Sequence, residues 1–176
     1  QDMDVEDPGF KNLYAYGVVA EVKQVLRVSD ELVKVLVEGK YRAKLLTLDS
    51  SGRFLLASTK AAALRGTKSV DSARVEALVR SVKEAFEEYL SLNPRLSKDV
   101  VYTIITNEDA ALLCDYIPAN LLLKYTDKQA LLNEGTVSGR LEKLLEILRR
   151  ETKILHIEKD IQSKVNEQMD KNQRDY

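Results

Sequence analysis

The stretch "GRLEKLLEILRRETKILHIEKDIQSKVNEQMDKNQRDY" (Gly139–Tyr176) closes a chain of 176 residues. Its apolar residues recur every three or four positions, which is typical of an amphipathic helix. Gly139 at its first position and Gly135 shortly before it predict a loose helix entry, but no Gly or Pro interrupts the sequence afterwards. We therefore predict one helix from about Val137 to Asp170 or beyond, about 50 Å long at about 1.5 Å per residue.

The apolar residues of this helix fall into two sets. The first set is expected to pack on a helical bundle: Leu141, Leu144, Leu145 and Leu148. The second continues along the same face beyond the reach of a small bundle: Ile154, Ile157, Ile161, Val165 and Met169. We expect the second set to be partly exposed and to form an interaction surface, because an uncovered apolar patch marks such a surface. The alternative is that it packs on the bundle or on a neighbouring molecule in a crystal.

The first third of the chain predicts β-structure. In "GVVAEVKQVLRV" (Gly17–Val28), apolar and charged residues alternate, as expected of a half-buried strand. Ser29–Glu31 then predict a turn, because Ser and Asp bond their own backbone there. Three further strands are predicted, with short turns between them: Leu32–Gly39, Tyr41–Asp49 and Arg53–Leu64. Meandering strands indicate an antiparallel sheet, and four of them leave an edge and part of a face uncovered.

After a polar connector the apolar spacing becomes helical. Helices are predicted from Ser72 to Asn93, with Asp71 or Ser72 as cap, and from Ser97 to Thr106. Two more are predicted: Thr106–Pro118, capped by Thr106 or Asn107 and stopped by Pro118, and Thr126–Gly135, capped by Thr126. The predicted fold class is α+β, a partial antiparallel β-subdomain followed by an α-helical bundle that ends in one long helix. We expect boundaries at residues 1–66, 67–136 and 137–176.

Composition limits the partners and the compartment. Lys plus Arg number 27 against 28 Asp plus Glu, interleaved without a basic stripe, so no nucleic-acid surface is expected. No apolar run approaches the roughly 18 residues of a membrane-spanning helix, and no membrane partner is expected. The N-terminus lacks the features of a signal peptide, and the single Cys suits a reducing compartment. We expect a cytoplasmic protein.

The sequence offers no catalytic constellation. It contains one His and one Cys, and neither a phosphate-binding loop nor a nucleophile elbow. His156 is interpreted as a partly exposed helical residue with Asp160 as an incidental neighbour. Cys114, in "ALLCDY", follows two leucines and is expected in the core. We therefore assign no catalytic, cofactor-binding or metal residue to this chain, and expect it neither to hydrolyse ATP nor to cleave proteins.

Three stretches carry a family resemblance. "VEDPGFKNLYAYGVVAEVKQVLRVSDELVKVLVEGKYRAKLL" (Val5–Leu46) resembles the later part of the N-terminal β-subdomain of bacterial Lon proteases. "IPANLLLKYTDKQALLN" (Ile117–Asn133) and Gly139–Tyr176 resemble two later stretches of the same family, in the same order. The family's opening "P-L-P-L-R" strands, its ATPase module and its peptidase module are absent. The chain therefore looks cut at both ends, which would account for the incomplete sheet and the unterminated helix.

The resemblance implies the N-terminal substrate-recognition and assembly region of an ATP-dependent protease that degrades misfolded and regulatory proteins. It implies a cytoplasmic homohexamer, with ATP, Mg and a Ser-Lys dyad in modules outside this chain. The second apolar set of the long helix is then a candidate contact for unfolded substrate or for a neighbouring subunit. The alternative is a stand-alone adaptor or scaffold that binds a protein partner through the long helix. A phosphate-binding loop encoded downstream of Tyr176 would favour the protease, and a stop codon the adaptor.

Overall fold

A computed structural model of the chain describes residue 5, residues 7–66 and residues 72–174, with side chains through Lys171. The chain forms two compact units, residues 1–64 and 65–176. In the described residues, a three-stranded antiparallel sheet is followed by five α-helices, the last of them long. The predicted α+β class is confirmed.

The first unit is a β-meander. A short 3-10 helix at Phe10–Asn12 precedes β1 (Tyr16–Arg27), β2 (Val33–Asp49) and β3 (Leu56–Ala61). The strands pair antiparallel in the order β1-β2-β3. The predicted turn after β1 is present: the Val28 amide donates to the Leu32 carbonyl at 2.9 Å, and the Ser29 hydroxyl accepts from the Leu32 amide at 3.2 Å.

The prediction of separate strands at Leu32–Gly39 and Tyr41–Asp49 is wrong, because β2 runs through both. Gly39 pairs with Ala20 and Tyr41 with Val19, so the extra residue between them is taken up as a bulge. That residue is Lys40, whose ammonium lies 2.9 Å from carboxylates on both strands, at Glu21 and Glu38. The prediction divides the strand at Lys40, but cross-strand pairing keeps the backbone extended through this residue.

The sheet is largely exposed. Among the described strand residues, Ala43 alone is buried, and Val18 and Val22 are 52% and 58% exposed. Alternation assigns side chains to faces, whereas burial depends on what packs against a face. The expectation of a half-buried first strand is therefore not met. At the start of β1, the Arg42 guanidinium lies 3.9 Å from the centre of the Tyr16 ring, which makes a cation–π contact.

The second unit is helical. Its helices are α1 (Ser72–Leu92), α2 (Lys98–Thr106), α3 (Ala110–Asn120), α4 (Tyr125–Asn133) and α5 (Val137–Arg174). The positions of α1, α2 and α5 follow the apolar spacing of the sequence. Asp71, one of the predicted caps of α1, lies outside the described residues.

Three predicted helix ends are wrong. Asp109, rather than Thr106 or Asn107, caps α3 by accepting from the amides of Ala111 and Leu112. The Thr106 hydroxyl is engaged by its own helix. Pro118 was predicted to stop α3, but it lies inside the helix and two helical residues follow it. Helix α4 begins at Tyr125, before the predicted cap Thr126, and its N-cap Lys124 makes no side-chain capping bond.

The entry to α5 is held tightly rather than loosely. One carboxylate oxygen of Glu134 accepts from the Gly135 amide at 2.9 Å and from the Thr136 hydroxyl at 3.0 Å. The Thr136 hydroxyl in turn accepts from the Gly139 amide at 3.2 Å. A Cβ on Gly139 would lie 2.6 Å from the Glu134 carboxyl carbon. Glycine at this position therefore leaves room for the side chains that cap the helix.

Candidate functional site

The first half of α5 is fixed in the core of the helical unit. Leu141, Leu144 and Leu148 are fully buried, as predicted, and α1 presents Val82 and Phe86, which are also fully buried. Extensive packing joins α1 to α5. Leu145 is only half-buried, whereas Ile147, on a different side of the helix, is buried. These contacts set the direction in which the rest of α5 extends.

The core ends at Thr152, the last buried residue of α5. From Lys153 to Lys171 every side chain is exposed except Leu155, which is half-buried. At about 1.5 Å per residue, the helix continues for about 33 Å between Lys153 and Arg174. Its second half is therefore a helix with little tertiary cover.

The apolar face of this segment is accessible. We call its five residues the distal stripe: Ile154, Ile157, Ile161, Val165 and Met169. Their exposed fractions range from 39% for Ile154 to 58% for Met169. Spacings of three and four place them on one side of the helix. The structure brings together all five predicted contact residues as one continuous exposed apolar surface.

The charges around the distal stripe balance. Between Lys153 and Lys171 there are four Lys and four acidic residues. On another side of the helix, the Gln162 amide donates to the Asn166 carbonyl oxygen at 3.0 Å. Such a segment has no preference for a partner of either charge, and the free energy of any contact would come from its apolar side chains.

His156 and Cys114, the one histidine and the one cysteine of the chain, lie in different surroundings. His156 Nε2 lies 3.6 Å from a carboxylate oxygen of Glu88 on α1, and both side chains are more than half exposed. The neighbour is thus Glu88 rather than Asp160. Cys114 is buried, and burial raises the pKa of its thiol to about 12, so the thiol is neutral at physiological pH. Cys114 is confirmed as a core residue.

Within the described residues, no group of three or more His, Cys, Asp or Glu side chains is arranged to hold a metal ion. None of the described helices, α5 included, combines the length and the apolar character needed to cross a bilayer. The exposed distal stripe thus remains the main candidate site.

The family model of the ATP-dependent protease La (LON) substrate-binding domain matches residues 1–150. The chain belongs to this family. The match covers the sheet, the short helices and the anchored half of the long helix, and ends just before the distal stripe.

Curated members of the Lon family resemble the whole chain. The Lon protease of Escherichia coli (strain K12) is 36% identical over 176 residues, which is 100% of this chain and 22% of that protein. The Lon protease of Brucella melitensis biotype 1 is 39% identical over 171 residues, 97% of this chain and 21% of that protein. The chain thus spans about a fifth of the length of these relatives. The family to which it belongs is one of proteases.

A solved structure shares the fold. The N-terminal domain of Mycobacterium avium complex Lon protease superposes with a TM-score of 0.62 over 77% of this chain and 70% of that chain. The two sequences are 21% identical, so this likeness concerns the fold alone. It agrees with the Lon N-terminal architecture that the sequence motifs predicted.

One feature of the helical unit was missed by sequence reasoning. A cavity between α3, α4 and α5 is lined by Arg140 and Lys128 together with apolar side chains. A signal was present, because Arg140 lies four residues before Leu144 and therefore on the core face of α5. A charged residue at such a position needs a partner inside the fold.

Proposed function

We propose that this chain is the substrate-engaging N-terminal region of an ATP-dependent Lon-type protease, and that its distal stripe contacts unfolded segments of protein substrates. The division of labour would follow residues 1–66, 67–136 and 137–176. The β-subdomain and the short helices form the support, and the long helix forms the contact element.

The observation that carries this proposal is the exposure of the distal stripe. Apolar side chains that are roughly half exposed on an otherwise polar helix are unfavourable in water, and their burial on contact with a partner lowers the free energy. Unfolded proteins present apolar segments without fixed shape, and a flat helical stripe can accept such segments without a preformed pocket. The anchored half of α5 holds the stripe in place, so binding does not require the helix to fold first.

The remaining chemistry of the whole protein is part of the same proposal. The relatives are named as proteases, and this chain corresponds to about a fifth of their length. We infer that a Ser-Lys dyad, ATP and Mg act in modules outside this chain. We also infer a homohexameric assembly in the cytoplasm. In such an assembly the chain supplies recognition and positioning rather than catalysis.

The test is a charge substitution in the middle of the stripe. Ile161→Asp combined with Val165→Asp is expected to weaken binding of the 176-residue chain to a permanently unfolded, reduced and alkylated protein by at least about tenfold. Fluorescence anisotropy of the labelled unfolded protein measures binding, and circular dichroism measures the melting temperature. The melting temperature is expected to stay unchanged, because both side chains are 46% exposed or more.

A matched control separates apolar contact from charge. Ser163→Asp combined with Asn166→Asp adds the same charge away from the stripe and should leave binding intact. Equal loss in both variants would show a charge effect and overturn the proposal. Unfolding of the stripe variant would show that the stripe is core. An oligomer that the stripe variant alone dissociates, measured by light scattering, would show pairing between helices instead of substrate contact.

A further inference from the structure

The cavity between α3, α4 and α5 is well suited to an apolar group. It is open to solvent on one side and has a volume of about 340 Å³, at the small end of the range of ligand pockets. Pro118 and Ala119 of α3 and Leu131 and Leu132 of α4 supply apolar walls. Cys114 contributes a neutral thiol, since burial raises its pKa to about 12. The walls therefore favour a small apolar side chain and add no charge of their own.

Two positively charged side chains, Arg140 and Lys128, line this apolar cavity. The Arg140 side chain is 3% exposed, donates from Nη1 to Asp115 Oδ1 at 2.6 Å, and donates from Nε to the Glu134 carbonyl at 3.2 Å. These bonds use two of the five N–H donors of a guanidinium. Lys128 is exposed and forms no ion pair with any described residue. Asp115 is the one acidic residue of the lining, so the described lining carries a net positive charge.

The apolar walls and the two cations together match a ligand that joins an anion to a small apolar group. A guanidinium held in a buried position binds a carboxylate through paired hydrogen bonds, and less of its rotational freedom is lost on binding. Asp115 is 71% exposed at its side chain and accepts from one N–H of the guanidinium, whose own side chain is 3% exposed. An anion attached directly to a small apolar group would place its charge near Arg140 and Lys128 and its apolar part against Pro118 and Leu131.

We propose that this cavity binds the carboxy-terminal residue of a polypeptide, with its apolar side chain against α3 and α4 and its free carboxylate at Arg140 and Lys128. This inference rests on the proposed function, because a domain that engages proteins meets apolar carboxylates mainly as chain ends. It adds to the distal stripe a second site, which recognises an end of the substrate rather than an internal segment.

The test compares three probes by NMR titration of the isotope-labelled chain. They are N-acetyl-Ala-Ala-Leu with a free carboxylate, the same peptide as its amide, and 4-methylpentanoate, which has the side chain and carboxylate without the peptide. The free peptide is expected to shift the amide signals of Ala119 and Gln129. The amide form should bind about tenfold more weakly, because it cannot form charge-assisted hydrogen bonds.

Two variants examine the site, and Arg140 is left intact because it is buried. Lys128→Gln should weaken binding of the free peptide about threefold, the scale of an exposed ion pair. Ala119→Trp places a large side chain at an exposed position of the cavity lining and should abolish binding. Lys124→Gln is the matched control, an exposed lysine at the start of the same helix that does not line the cavity, and should bind as the unaltered chain does.

Each outcome decides the proposal. Equal binding of peptide and amide would overturn it, as would equal losses in Lys128→Gln and Lys124→Gln. Binding of 4-methylpentanoate as tight as that of the peptide would show a site for small free acids instead of chain ends. If no probe binds, while the stripe variant still binds the unfolded protein more weakly than the unaltered chain does, the cavity inference fails and the proposed function stands. If the free peptide binds, while the stripe variant binds the unfolded protein as tightly as the unaltered chain does, the cavity inference stands and the proposed function fails.

Discussion

Replacing Leu144 with Ala should destabilise the helical unit more than most single substitutions in this chain. Leu144 lies on the buried face of α5 and has no exposed surface. Val82 and Phe86 of α1 are equally buried, and α1 is the element with which α5 packs most extensively. The side chain is therefore part of the contact that joins the longest helices of the unit.

The size of the effect follows from the volume removed. Leu→Ala deletes three carbon atoms, which at about 0.8 kcal/mol per methylene is about 2.4 kcal/mol of lost transfer free energy. A cavity that the rigid helices cannot close adds to this loss, which gives a total of about 2–5 kcal/mol. For a unit of this size, a loss of about 3 kcal/mol lowers the melting temperature by roughly 10 °C.

Urea denaturation of the 176-residue chain, followed by far-UV circular dichroism, measures this effect. The helical signal reports on the second unit, because all five α-helices lie in residues 65–176. Ile157→Ala is the matched control: it lies on the same helix, but its side chain is 49% exposed. Its free energy of unfolding should change by less than about 0.5 kcal/mol, as is usual for surface positions.

A change below about 0.5 kcal/mol for Leu144→Ala would refute the packing described here, since no fully buried leucine is lost that cheaply. Equal losses for Leu144→Ala and Ile157→Ala would place the distal half of α5 in a core as well. That result would also remove the basis for treating the distal stripe as a contact surface.

Two further substitutions probe polar groups of the helical unit. Thr152→Val should stabilise the chain or leave its stability unchanged by thermal denaturation, because the buried Thr152 hydroxyl has no hydrogen-bond partner among the described residues; a clear loss of stability would show that the hydroxyl is bonded. Glu134→Gln should lower the stability at neutral pH. Burial alone would raise the pKa of Glu134, but hydrogen bonds from Thr136 and Gly135 outweigh it and lower the pKa below its ordinary value of 4.5. The carboxylate therefore contributes stability above about pH 4.5 and loses it as the pH falls through the lowered pKa, so denaturation curves of variant and unaltered chain should converge in acid; a constant difference at all pH values would contradict the assignment.

Local patterns were sufficient for the elements whose structure depends on neighbours in sequence. The helical spacing of α1 and α5 identified both helices, and the buried residues Phe86, Leu141 and Leu148 were on the expected faces. Ser97 was expected at the start of α2, and its hydroxyl accepts from the Val100 amide there. Helical periodicity and caps involve residues three or four positions apart, so the sequence records them directly.

Elements that depend on distant partners were predicted less well. The continuity of β2 depends on its pairing with β1 across a bulge at Lys40, and no local pattern distinguishes that bulge from a turn. Pro118 is a strong local stop, yet α3 continues past it, with Pro118 itself buried in the unit. In both cases the free energy of pairing or packing exceeds the local preference of a single residue.

The cavity shows most clearly the difference between what local sequence determines and what tertiary packing determines. Arg140 and Asp115 are 25 positions apart in sequence and 2.6 Å apart in the structure. The spacing of Arg140 from Leu144 contained a signal, not used in the prediction, that Arg140 lies on the core side of α5. Which carboxylate meets it depends on how α3 packs against that helix. For the distal stripe, the spacing determined that five apolar residues share a face, and the tertiary structure decided that the face is exposed. A helix's own sequence sets the direction of its side chains, whereas their burial is set by the number of neighbours the fold brings within reach.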